Sequence, residues 1–172
     1  MLASATVSGL ESLYDDPTCH LSVKRNLLVI SWHDAPTAPQ LREMVRLAKI
    51  VGKKYPAGTA MLDLIVEGTP KFSDEVHKEA SRLAKDVDFV PCGAADCILI
   101  PGFAGVATRS FLNTIYLVSR SPRPTKAFPD IATGAAWLAP RVSVGGEKWT
   151  ADEIAKLGHA HLAPHRKPGS TL

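Results

Sequence analysis

Ser73 lies at the end of a short run, Thr59–Ser73 (TAMLDLIVEGTPKFS), that leaves the core, passes a Gly-Pro corner and reaches the start of a helix. A serine at that point has two chemical uses. Its hydroxyl can accept from a free backbone N–H as an ordinary N-cap, contributing about 1 kcal/mol. It can also carry a phosphate, which the helix-terminal N–H groups and the macrodipole favour. Asp74 and Glu75 follow it directly, and their charges suit a capped first turn while opposing a phosphate. The cap is the stronger reading, with Ser73 as a phosphoacceptor the weaker one. The exposed stretch Pro70, Lys71, Phe72, Ser73 and Asp74 is where a partner would touch.

Other reactive types are scattered. Asp63 stands in mid-strand, either as a carboxylate at the sheet mouth near the Ser73 loop or as an acceptor of backbone N–H bonds. Between Cys97 and Pro129 there is no acid, while Arg109, Arg120, Arg123 and Lys126 are present, so an anionic partner could dock there. Solvated charge is the commoner fate of such a run. Cys92 lies in a Pro-Cys-Gly turn without a His–Asp pair beside it in sequence, and Cys97 suits a small core residue. The two are too isolated for a zinc site. His159, His161 and His165 sit in a Pro-containing basic tail with no scaffold, so no metal site is expected; His20, His33 and His77 read as incidental. There is no Gly-rich phosphate loop, no Gly-x-Ser-x-Gly elbow and no paired-carboxylate signature. Neither a catalytic residue nor a cofactor is implied.

The elements that must position these groups follow from composition and period. At 172 residues and 45% hydrophobic content the chain supports one core, and with aromatics at 6% that core is mainly aliphatic. A net charge of +3 argues against the broad cationic face of a nucleic-acid binder. Three cysteines without framework spacing suit a reducing compartment, and the first residues lack the pattern of a signal peptide. No apolar run reaches membrane-spanning length. The expectation is a cytoplasmic protein.

Cys19–Val23 and Leu27–Ile30 around a polar turn predict a hairpin. Thr37 and Pro39 open an amphipathic helix with Leu41, Met44, Val45, Ala48 and Val51 inward. Ala60–Val66 is the next strand, and Ser73 starts a helix burying Val76, Ala80, Leu83, Ala84 and Val87. Cys97–Ile100 is a further strand. A third helix turns Ala104, Ala107, Phe111, Ile115 and Val118 inward and ends at Pro122 and Pro124. Thr125–Phe128 extends, and Asp130 caps a helix weakened by Gly134. Beyond Pro140, Val142–Trp149 reads as a β-prone extension, Thr150 starts a short helix, and residues 159–172 read as disordered. The division is a partly loose leader over 1–18, a domain over 19–140 and an extension over 141–172.

This order resembles the STAS-like family, which includes bacterial anti-sigma-factor antagonists and a broader group of relatives. The resemblance covers roughly Cys19–Pro140. It rests on the leading hairpin, Leu62-Asp63-Leu64 before the loop, Ser73 at the next helix start, and Lys126-Ala127-Phe128 followed by Ala135-Ala136-Trp137-Leu138. It implies an α/β fold with a STAS-like mixed sheet, in the order β-β-α-β-α-β-α-β-α. It further implies a non-enzymatic regulatory or protein-interaction module, docking through the Pro70–Ser73 loop and the following helix, with another protein as partner. The antagonists carry Asp before the serine and Gly after it; here the stretch is Lys71-Phe72-Ser73-Asp74-Glu75. Some relatives resemble lipid-transfer folds, so a small-molecule or lipid-binding domain, taking an apolar or anionic ligand, is the alternative. Homo-oligomerisation stays open.

Overall fold

The computed structural model describes residues 9–67, 73–84, 91–119 and 124–165. Three strands, β1 (Glu11–Asp15), β2 (Cys19–Lys24) and β3 (Leu27–Trp32), precede helix α1 (Ala38–Lys54). Strand β4 (Ala60–Ile65), helix α2 (Asp74–Ala84), strand β5 (Gly93–Ile98), helix α3 (Gly102–Ser119) and strand β6 (Thr125–Phe128) alternate after it. Two helices close the fold, α4 (Ile131–Val142) and α5 (Ala151–Leu162), with a 3-10 turn at Ala163–His165.

The six strands lie side by side in chain order, β1 to β3 antiparallel and β3 to β6 parallel. The α/β class and mixed sheet agree with the sequence reading, and the order has one strand more at the front. Leu10–Asp16, a stretch whose sequence allows either a short strand or a helical turn, supplies β1 to the sheet, with Leu10 buried in the core. A parallel crossover returns with a right-handed sense, which keeps α1, α2 and α3 on one face. Helices α4 and α5 cover the other. Leu28, Ile30, Met44 and Val51 fill the α1 side; Val29, Leu62, Ala95, Leu138 and Ile154 fill the α4–α5 side.

Caps fix the helix starts. Thr37 and Gln40 form a reciprocal capping box at α1, while Asp130 accepts from Thr133 N–H at 2.7 Å and Thr150 from Glu153 N–H at 3.1 Å. Gly134 in α4 has a packing reason. A Cβ there would come within 2.5 Å of the Cys97 sulfur, so its absence lets α4 lie directly on β5. Helix α4 continues through Pro140, whose position is exposed, to Val142, and residues 143–150 form a loop rather than a strand.

The C-terminal segment belongs to the fold. Arg25, at φ 50° in the two-residue hairpin turn, stacks 3.7 Å over the Trp149 ring and pairs with Glu153 at 2.8 Å. Asn26 beside it is buried, donating to the Gly58 and Val142 carbonyls and accepting from the Trp149 indole. Residues 159–165, expected to be disordered, finish α5 and its 3-10 turn, with His161 only 5% exposed. The imidazole reaches the Ser22 and Ser31 hydroxyls at 3.2 and 3.1 Å, so a polar pattern here marks burial rather than a solvated tail. Residues 166–172 lie outside the described residues.

Candidate functional site

Strand register places two carboxylates side by side. Asp63 in β4 is directly opposite Asp96 in β5, and neighbouring strands run about 4.8 Å apart. Both residues project to the α1–α3 face, on the same row as Ile30 and Ala127. The sequence reading began this strand at Cys97. It begins at Gly93, because Gly-Ala-Ala-Asp lacks the β-branched signature yet provides the small residues that α4 packs against. Asp96, just outside the strand as read from sequence, thereby joins the sheet, and the pair appears.

Helix α2 packs on α1, and the Arg42–Glu79 pair at 3.5 Å ties the two helices. Between α1 and α3 the sheet face borders a cavity of about 290 Å³, near the low end of the ligand-pocket range. Ile30, Met44, Met61, Ile65, Ile100 and Leu112 form apolar walls, with Trp32 and Tyr116 above the carboxylates. Asp34 and Glu67, both exposed, stand on the loops after β3 and β4. No Lys, Arg or His is among the described lining residues.

Helix α3 presents a different face from the one its apolar period predicts. Ala104 and Ala107 are exposed, whereas Gly105 and Thr108 are buried and Leu112 and Tyr116 half-buried against the cavity. Two local contacts set that rotation. A Cβ on Gly105 would lie 1.9 Å from the Ile100 carbonyl oxygen, and Asn113 holds the Ala127 backbone through its carbonyl oxygen at 3.0 Å. The outward face consequently carries Phe103, 86% exposed, and Leu117, 82% exposed. In α2, Val76 and Leu83 are buried as expected but Ala80 is exposed. Val87, and the side chains of Ala84, Phe111, Ile115 and Val118, lie outside what the structure describes.

The carboxylates are hydrogen-bonded to each other. Asp63 also accepts from the Trp32 indole, and Asp96 from the Tyr116 hydroxyl. Asp63 is therefore held by side chains rather than by backbone N–H groups, and the loop before Ser73 lies outside the described residues. Both are half-buried, and the surface they keep is cavity wall. Burial raises the pKa of Asp63 well above the carboxylate range, and the charge of Asp96 raises it further. Burial also raises Asp96, against the hydrogen bonds from Tyr116 and Asp63 that lower it. Two acids this close in an apolar setting hold one proton between them and ionise in two separated steps. The pair thus offers one negative charge and one O–H donor at the floor of the cavity.

The residues singled out from sequence fall elsewhere. Ser73 accepts from Val76 N–H at 3.3 Å, which is the N-cap geometry, and both Ser73 and Asp74 are exposed. Ser73→Ala is expected to lower stability by about 1 kcal/mol in urea unfolding, with Ser73→Asp recovering most of it. Pro70, Lys71, Phe72, Arg120 and Arg123 lie outside the described residues. Arg109 is half-buried on α3, while Lys126 projects to the α4 face 5.5 Å from the Phe128 ring, so these two cations leave opposite faces of the sheet. Burial raises the thiols of Cys92 and Cys97, which disfavours the thiolate form of both.

No family model, curated protein or solved structure matches the chain. Among the described residues no helix is long and apolar enough to cross a membrane.

Proposed function

We propose that this protein is a non-enzymatic binding domain for a small, largely apolar molecule bearing a protonated amine. One observation carries the reading: a proton-sharing carboxyl pair floors an apolar cavity whose described lining includes four acids and no base. Apolar walls favour an alkyl or aryl body, and a buried anion favours a cation that can hydrogen-bond to both carboxyl groups. Trp32 and Tyr116 add aromatic rings to the same end of the cavity, where a cation gains further attraction if it meets a ring face. The alternative of an anionic ligand fits poorly, because no base is among the described residues that line the cavity. Among the described lining residues the Thr108 hydroxyl is engaged with the Ala104 carbonyl at 2.8 Å and the Tyr116 hydroxyl with the Asp96 carboxylate. Within the STAS-like reading, this places the ligand-binding alternative ahead of docking through the Pro70–Ser73 loop.

A matched series tests the headgroup. Hexylamine, hexanol and hexanoate present one apolar body with three different ends. The amine is expected to raise the melting temperature saturably, the alcohol less, and the carboxylate not at all. Leu112→Trp, which places a larger ring in the cavity wall, is expected to abolish the amine effect while preserving the fold. Equal stabilisation by hexanoate would overturn the proposal.

A further inference from the structure

Behind β3, on the face away from the cavity, the fold gathers four of the six histidines of the chain around Asp15. They come from separate segments: His20 from β2, His33 from the end of β3, His161 from α5 and His165 from the 3-10 turn. The His20 and His165 rings stack with centroids 3.4 Å apart, and His33 stands 5.2 Å from the first and 6.1 Å from the second. His161 is accounted for, since both of its nitrogens face serine hydroxyls. Asp15 contacts Nδ1 of His20. One donor atom from each of Asp15, His20 and His165 lies within 4.8 Å of the other two.

We propose that Asp15, His20 and His165 form a binding site for a divalent first-row metal ion, with Zn²⁺ as the representative probe. Two imidazole nitrogens and one carboxylate oxygen are the donor set such ions select, whereas Ca²⁺ and Mg²⁺ prefer all-oxygen shells. Bonds of about 2.0–2.1 Å around a tetrahedral ion separate neighbouring ligand atoms by roughly 3.4 Å. The three donors therefore need to close by about 1 Å or a little more, and the His165 ring must tilt out of its stack so that its lone pair meets the ion. The position of these residues allows that. Asp15 is exposed on the edge strand, and His165 is half-buried on a three-residue turn beyond α5. His20 is the anchored member, 7% exposed, with its strand paired on both sides. His33 is placed to complete the shell or to orient a ligand from outside it. A bound ion would tie β1, β2 and the end of α5 together, so it would stabilise the fold as well as occupy it.

The test uses the untagged full-length chain. Zn²⁺ titration by calorimetry, with Co²⁺ absorption as a report on coordination, is expected to give one saturable site per chain. His165→Ala and Asp15→Asn, both at adjustable positions, should each weaken binding at least tenfold with an unchanged circular dichroism spectrum. His159→Ala and His77→Ala, which replace exposed imidazoles elsewhere, should bind as the parent does. Parent-like affinity in both triad variants, or equal weakening in the His159 and His77 variants, would overturn the site. So would the absence of a saturable one-to-one phase.

Discussion

Replacing Asp63 by asparagine is expected to stabilise the protein at pH 8, while giving no gain at pH 4. The sign follows from proton counting. An unfolded aspartate titrates near pH 3.9, and burial together with Asp96 raises the folded value of Asp63 well above that. Between those two values the native state binds more protons than the unfolded chain, so stability falls as pH rises through the window. Asparagine keeps the shape and can donate its amide to Asp96, as the protonated Asp63 does, without ever having to ionise. The measurement is urea unfolding at pH 4, 6 and 8. Parallel stability profiles for parent and variant would show that the pair shares no proton.

Asp16 supplies an internal contrast. Burial raises its pKa, but hydrogen bonds from Gln40, Thr18, Tyr14 and the Cys19 amide outweigh that and hold it well below the ordinary range. A depressed carboxylate contributes stability above its unfolded value and loses it as pH falls. Asp16 therefore acts below about pH 4, and the Asp63–Asp96 pair acts above it. The parent should be most stable between the two windows, and Asp63→Asn should alter only the alkaline side.

The two windows also separate what could be read in the sequence from what could not. Caps at Thr37, Ser73, Asp130 and Thr150 were legible because each is a local matter of one side chain and its own helix start. The α1 face was legible because Met44, Ala48 and Val51 meet an apolar sheet. The failures share one physical cause, which is polar groups pointing inward. Hydrophobic period sends Thr108 and Tyr116 outward on α3, yet they face a cavity floored by carboxylates. It sends His161 into solvent, yet two serines on the sheet receive it. It leaves Asp96 outside its strand, because small residues beside an acid resemble a turn. Only the parallel register of β4 and β5 shows that Leu-Asp-Leu and Ala-Asp-Cys align. Sites that break local patterning are where function concentrates: Thr108, Tyr116 and Asp96 line the cavity, and His161 stands beside the histidine cluster behind β3.

Affinity for an alkylammonium is expected to rise by up to tenfold per pH unit while the carboxyl pair retains its shared proton, and then to level. An amine of this kind titrates near the lysine value of about 10.4, so it stays charged from pH 5 to 8 and contributes no slope. A cation seated against both carboxyl groups favours their full ionisation, and binding then expels the shared proton to buffer. One proton released per ligand gives the tenfold slope by linkage. Calorimetry in two buffers of different ionisation enthalpy counts that proton directly. Asp96→Asn removes the charged member and should weaken binding about a hundredfold, the scale of a buried ion pair that loses one partner. Asp63→Asn keeps that charge but has no proton to release, so its affinity should be flat from pH 6 to 8. A neutral ligand held by shape alone would behave differently: no slope in the parent, no proton released, and little change in either variant. The slope in the parent and its absence in Asp63→Asn together assign the recognition to the pair of carboxyls rather than to the apolar walls around them.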